Sequence, residues 1–163
     1  MERSKRSPVE RAAFLVLSAA LAAWAWAITS RAAYPVTEPY QFPVTTDSPD
    51  WAELVEAGLA RNACRMPAGL AEQMTSEALL ETALDYPYVT DMLAYSNPVQ
   101  GFWSNANYND ALAELVTRPD AAAVVEGAFS KLPPLTEITD VEVMARWYKF
   151  SAFSQGLANP PGA

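Results

Sequence analysis

The chain has 163 residues, 51% of them apolar, with 13 prolines, 6 glycines, one cysteine and no histidine. A single cysteine cannot build an intrachain disulfide framework, and without histidine there is no mixed zinc site, no Ser-His-Asp triad and no Cys-His dyad. Eleven basic against nineteen acidic residues give a net charge of −8, the wrong sign for neutralising phosphates, which argues against nucleic acid as a partner.

Arg3, Lys5, Arg6 and Arg11 precede an apolar run from Ala12 to Ile28, broken only by Ser18. The order basic, apolar, small predicts a signal peptide over residues 1–27, with cleavage after Ala25-Trp26-Ala27 or at Ser30-Arg31-Ala32. The run is just long enough to cross a bilayer, so the alternative is an uncleaved anchor over residues 12–28, the chain's one route to a membrane. No cysteine follows the run to carry a lipid and no Arg-Arg pair precedes it, which favours general secretion. Removal of residues 1–27 leaves seven basic and seventeen acidic residues, so the exported form is distinctly acidic and soluble.

Residues 28–50 read as a proline-rich extended arm, because four prolines between residues 32 and 50 push their predecessors toward extended geometry. Tyr34, Tyr40 and Phe42 are placed to dock on the folded body. From Trp51 onward the apolar period is helical and strand-like alternation is never sustained. The expectation for residues 51–157 is therefore an all-α domain, an irregular bundle or short array of six to seven helices, followed by a flexible tail over residues 158–163.

A first helix is expected from Asp50 to Ala60, and a short one from Ala68 to Met74 after Pro67. Thr75 or Ser76 caps the segment TSEALLETALDYP, whose Leu79, Leu80, Ala83 and Leu84 form an inner face and which Pro87 stops. Tyr88 to Tyr95 forms another short turn. Asn97 caps a helix with Pro98 at its first position, and Asn107 or Asn109 opens the next, in which Glu114 lies four residues before Arg118. Pro119 separates this from a helix over Asp120 to Lys131. Thr139 and Glu142 have capping-box spacing, and the helix they open runs to about Gln155 with Gly156 as its left-handed stop. Val141, Val143, Met144, Trp147, Tyr148, Phe150 and Phe153 occupy most of its circumference, which predicts a central helix wrapped by the others.

The order Cys64-Arg65-Met66-Pro67, then Met74 to Thr82 (MTSEALLET), then Asp85-Tyr86-Pro87, resembles a family of small exported bacterial proteins of unassigned function. Their shared core reads C-x-I-P, then M-S-T-E-x-L-x-E-T-x-L-x-Y-P, then a glycine-aromatic step and a later E-L-x-x-R. Gly101-Phe102 and Glu114 to Arg118 stand where the later elements belong. The resemblance spans roughly 60 of the 163 residues; it implies secretion and an all-helical fold, and it carries no activity.

The most site-like segment is NPVQGFWSNANYN, Asn97 to Asn109, where Gln100, Trp103, Asn105, Asn107 and Tyr108 interleave aromatics with amides. Such a surface stacks on a ligand while hydrogen-bonding its polar edge. The same composition also describes a helix connection whose aromatics fill the core. With neighbouring Tyr86, Tyr88 and Tyr95, these residues are the candidates for engaging an extracellular or envelope protein or peptide. Glu77, Glu81 and Asp85 repeat at four-residue steps and are the alternative acid and base of a hydrolase acting on envelope glycans, or else a solvated helix face. Cys64, with no base available, reads as a buried small residue or a pairing thiol. No cofactor motif or metal-ligand spacing is present. A third reading is a membrane-tethered structural domain.

Overall fold

Asparagine, threonine and aspartate side chains start the main helices, and prolines and glycines divide them. In the computed structural model, which describes residues 34–161, this punctuation gives seven α-helices among the described residues: α1 Trp51–Glu56, α2 Ala60–Ala63, α3 Ser76–Leu84, α4 Pro98–Ala106, α5 Asp110–Leu115, α6 Ala121–Phe129 and α7 Val141–Ala158. Three 3-10 turns, Ala71–Gln73, Val89–Ala94 and Leu135–Glu137, lie between them, and the fold is all-α as expected.

The caps explain the boundaries. The Thr75 side chain accepts from the Ala78 amide at the start of α3. Asn97 Oδ1 accepts from Val99 and Gln100 ahead of α4, whose first residue is Pro98. Asn109 Oδ1 accepts from Leu112 at the start of α5. Each capping oxygen satisfies amides that the first turn leaves without a helical partner.

Four expectations change. The first helix is split in two, because Gly58 takes a positive φ of 69° and ends α1 early. The segment Ala68 to Met74 tightens into only a 3-10 turn. Asp140, not Thr139, caps α7, its Oδ1 accepting from Glu142 and Val143. Gly156 lies inside α7, which continues to Ala158, and it is buried against the Phe102 ring where a Cβ would collide. Absence of a side chain there serves packing, not termination.

The centre of burial also differs from expectation. Helix α3 buries seven of its nine residues and packs against both α5 and α6. Helix α7 buries only Phe150, Ala152, Phe153 and Gly156, from its second half, and packs against α4 and α6. Its first half leaves Val141 at 76% and Tyr148 at 46% exposure. Trp147 is partly covered through edge contacts with Phe129 and Tyr148. Aromatic density around a helix thus reports surface-layer contacts as well as core.

From Val36 onward the proline-rich segment belongs to this body. The compact unit begins at Val36, which bridges to Met74: Val36 N donates to Gln73 O at 3.0 Å and Thr75 N to Val36 O at 2.8 Å. The Tyr40 amide donates to Thr82 Oγ1 at 2.9 Å, and Phe42 meets the Tyr86 ring edge-on. Cys64 is buried, its thiol facing Val44 O. At the other end, Asn159 O accepts from Trp103 Nε1 at 3.0 Å, so the expected tail is fastened at its base. The expected leader over residues 1–27, or anchor over residues 12–28, lies outside the described residues, as do residues 28–33 of the expected arm. Among the described residues, no helix is long and apolar enough to cross a membrane.

Candidate functional site

Arg61 comes from α2, a helix of four residues with only Ala60 buried, so its side chain is held by what it reaches. Its guanidinium lies over the Tyr88 ring at 4.5 Å and over the Tyr108 ring at 4.8 Å. Nη2 donates to Asp91 Oδ2 at 2.9 Å. Trp51 adds a further layer, 5.1 Å from Tyr88. Cation–π contacts hold a planar guanidinium in a fixed orientation, so the Tyr88–Asp91 segment and the Tyr108 loop meet on one cation.

Beside Arg61 opens a cleft of about 270 Å³, lined by Arg61, Asp91, Met92, Tyr95, Gly101, Ser104, Asn105 and Tyr108. The turn Val89–Ala94 packs against α4 to form its wall, an approach that Gly101 allows because it meets the Met92 carbonyl directly. Tyr95 Oη and Ser104 Oγ share a hydrogen bond of 2.7 Å at the rim. Tyr95 and Tyr108 are 39% and 48% exposed, an accessible aromatic edge on a polar floor.

The sequence candidates separate into two groups. Tyr95, Tyr108 and Asn105 line the cleft, and Tyr88 supports it from beneath Arg61. Asn105 is buried and internally engaged: its Nδ2 donates to Tyr88 O and its Oδ1 accepts from Asn109. The others lie elsewhere. Trp103 packs on Phe102 and bonds Asn159 O. Asn107 is exposed and donates to Trp103 O. Gln100 is exposed and does not line the cleft. Tyr86 is 1% exposed, a core residue that no ligand can reach from outside. Arg61 and Asp91 were invisible to spacing arguments, since neither belongs to a periodic pattern.

Tyr86 carries a separate consequence. Its hydroxyl is buried and completes no hydrogen bond at the observed geometry, although Arg61 stands close enough to favour its ionised form. Burial outweighs this and pushes its pKa up to about 12. A tyrosine titrates near 10 when unfolded, so in this window the unfolded chain loses its proton first and stability falls as pH rises from 10 toward 12. The loss expected at pH 11 is about 1.4 kcal/mol. Burial raises the Cys64 thiol in the same direction, whereas Lys149, lowered by burial, opposes it. Urea unfolding at pH 9 and pH 11 should show a smaller decline in Tyr86→Phe than in the parent; equal declines would refute the assignment.

The carboxylate candidates do not form a pair. Glu77 is exposed, and Glu81 is ion-paired to Arg146. Asp85 is raised by desolvation while Arg146 and Lys149 pull it back. None lines the Arg61 cleft or the second cavity, of about 420 Å³, beside Arg65, Glu72, Asp110 and Glu114. There Asp110 is occupied by the Met66 amide and by Arg65. Among the described residues no group of three or more carboxylates or thiols is placed to hold a metal ion.

No protein-family model, no curated protein and no solved structure matches this chain.

Proposed function

We propose that the protein is a non-catalytic binding domain, exported from the cytosol, that engages a peptide segment of another protein in the Arg61 cleft. The observation that carries this reading is the convergence of Arg61, Asp91, Tyr95, Ser104 and Tyr108 on one open cavity. An arginine fixed between two rings is a preorganised donor, and partly exposed tyrosines supply contact area at small entropic cost. The carboxylates needed for hydrolysis are absent from the cleft apart from Asp91, which Arg61 neutralises.

The test is site-specific photocrosslinking on the exported protein in culture. Tyr108→p-benzoylphenylalanine should yield a covalent adduct with a peptide, mapped by mass spectrometry. The same probe at Glu126, exposed on α6, should yield none. Equal labelling from both positions, or none from Tyr108, would overturn the reading.

A further inference from the structure

Residues 45–63 leave the body and return to it at one point. The Cys64 thiol faces Val44 O at 3.8 Å, and both flanks are fixed just outside that contact: Phe42 lies against the Tyr86 ring, and the Met66 amide donates to Asp110 Oδ2. A surface segment whose ends meet in this way is a compact loop packed by its own side chains. Among the described residues, this segment buries Ala60 alone, and Ala60 lies outside the main core cluster.

The segment holds itself together better than it holds the body. Gly58 N donates to Val55 O and Leu59 N to Leu54 O, the paired bonds of a Schellman turn, and Ala63 N donates to Leu59 O. These bonds join α1 to α2 across Gly58, and the two helices pack on one another. Among the described residues, no backbone hydrogen bond runs from residues 45–63 to any segment beyond their own base at Cys64 and Arg65. Two side chains make the ring and ionic ties to the body. Trp51 lies 5.1 Å from the Tyr88 ring, and Arg61 reaches Tyr88, Tyr108 and Asp91. The side chains of Arg61 and Asp91 are 44% and 49% exposed, so their attraction is screened by solvent. A region with so few buried apolar contacts opens at a lower free energy than the core.

We propose that residues 45–63 are a lid that swings as one unit about Val44 and Cys64 while the rest of the body stays folded, with Arg61 as its latch. Closed, the lid covers the Tyr88 ring with Trp51 and the Arg61 guanidinium. Arg61 is also a wall of the cleft that Asp91 and Tyr108 line, so opening removes that wall and joins the cleft to the Tyr88 ring. The site alternates between a narrow form with a fixed guanidinium and a wide form lined by tyrosines. The lid does not depend on the peptide-binding reading, since its motion is a property of the unliganded chain.

Amide hydrogen exchange followed by NMR tests it. The amides of Leu54, Ala57, Leu59 and Ala63 are all hydrogen-bonded inside the lid. After correction for intrinsic rates, they should exchange through one common opening, on the order of a hundredfold faster than the buried Leu84 amide of α3 and with a weaker dependence on urea. Arg61→Met should accelerate all four by the same factor, about tenfold, as expected for losing two cation–π contacts and an exposed ion pair. Trp51→Leu, at the other end, should accelerate Ala63 as much as Leu54. Unequal opening of α1 and α2, or an Arg61→Met effect confined to Ala63, would mean independently fraying helices and would overturn the lid. Exchange of all four amides at the Leu84 rate and urea dependence would overturn it as well, because the segment would then open only with the whole body.

Discussion

Gly101→Ala is expected to destabilise the protein by ~3 kcal/mol, near the upper end of overpacking effects. Helix α4 approaches the Val89–Ala94 turn so closely that an added methyl would overlap the Met92 carbonyl oxygen and crowd its carbonyl carbon. The obstacle is backbone, which has no rotamer by which to yield. Relief requires moving α4 away from the turn, and the same motion opens the wall of the Arg61 cleft. Gly156→Ala meets a different obstacle, the Phe102 ring, itself fully buried between Trp103 and Phe153. Gly127→Ala is the control. Nothing lies near its added methyl on exposed α6, so the usual helix preference for alanine should stabilise by ~0.5–1 kcal/mol. Urea denaturation of the three variants reads all of this directly. A Gly101→Ala loss no larger than the change at Gly127 would contradict the packing described for α4.

Where one side chain decides a boundary, the sequence is easy to read; where a distant partner decides, it is not. Asn97-Pro98 announces a helix start by local chemistry, as do the pairs Thr75 or Ser76 and Asn107 or Asn109, and the structure places the caps at Asn97, Thr75 and Asn109. The segment TSEALLETALDYP likewise shows its inner face, since Leu79, Leu80, Ala83 and Leu84 are all buried. At residues 139 and 140 two competent capping side chains stand side by side, and choosing between them requires the geometry of the incoming chain. The expected left-handed stop at Gly156 is instead a residue inside α7, for another reason. A glycine near a helix end signals a left-handed stop or a close approach, and only Phe102 tells which.

The site was half legible for the same cause. Tyr88, Tyr95, Asn105 and Tyr108 stood out as an aromatic and amide-rich neighbourhood, and they do gather around one cleft. Arg61 did not stand out, because its role depends on Tyr88, Asp91 and Tyr108 from other segments. Tyr86 neighbours Tyr88 in sequence but not in exposure. Its ring packs against Phe42 and Tyr88 and is buried. The first half of α7 is more exposed than its composition predicts because apolar residues are common on folded surfaces, and Val141 and Tyr148 are of that kind.

The largest single loss should come from Arg118→Met, by ~3–5 kcal/mol, the range for removing one partner of a buried ion pair. Arg118 Nε donates to Glu114 Oε1 at 2.8 Å, with side-chain exposures of 4% and 24%. Its Nη2 also reaches the carbonyls of Ala71 and Glu72 at 3.4 and 3.3 Å. Methionine retains an apolar stem but strands a largely buried carboxylate and the Glu72 carbonyl, whereas Ala71 O keeps the Met74 amide, and it is this stranding that costs stability. The double variant Arg118→Met with Glu114→Leu removes the stranded charge, and it should recover more than half of the loss. A single-variant loss below about 1 kcal/mol would place the pair in the class of exposed salt bridges instead. The effect should also travel. Arg118 holds the Ala71–Gln73 turn, and Met74 just beyond it carries the bridge to Val36. Hydrogen exchange at the Val36 and Thr75 amides should therefore accelerate in Arg118→Met by more than global unfolding alone explains, because the turn loses its fastening before α3 does.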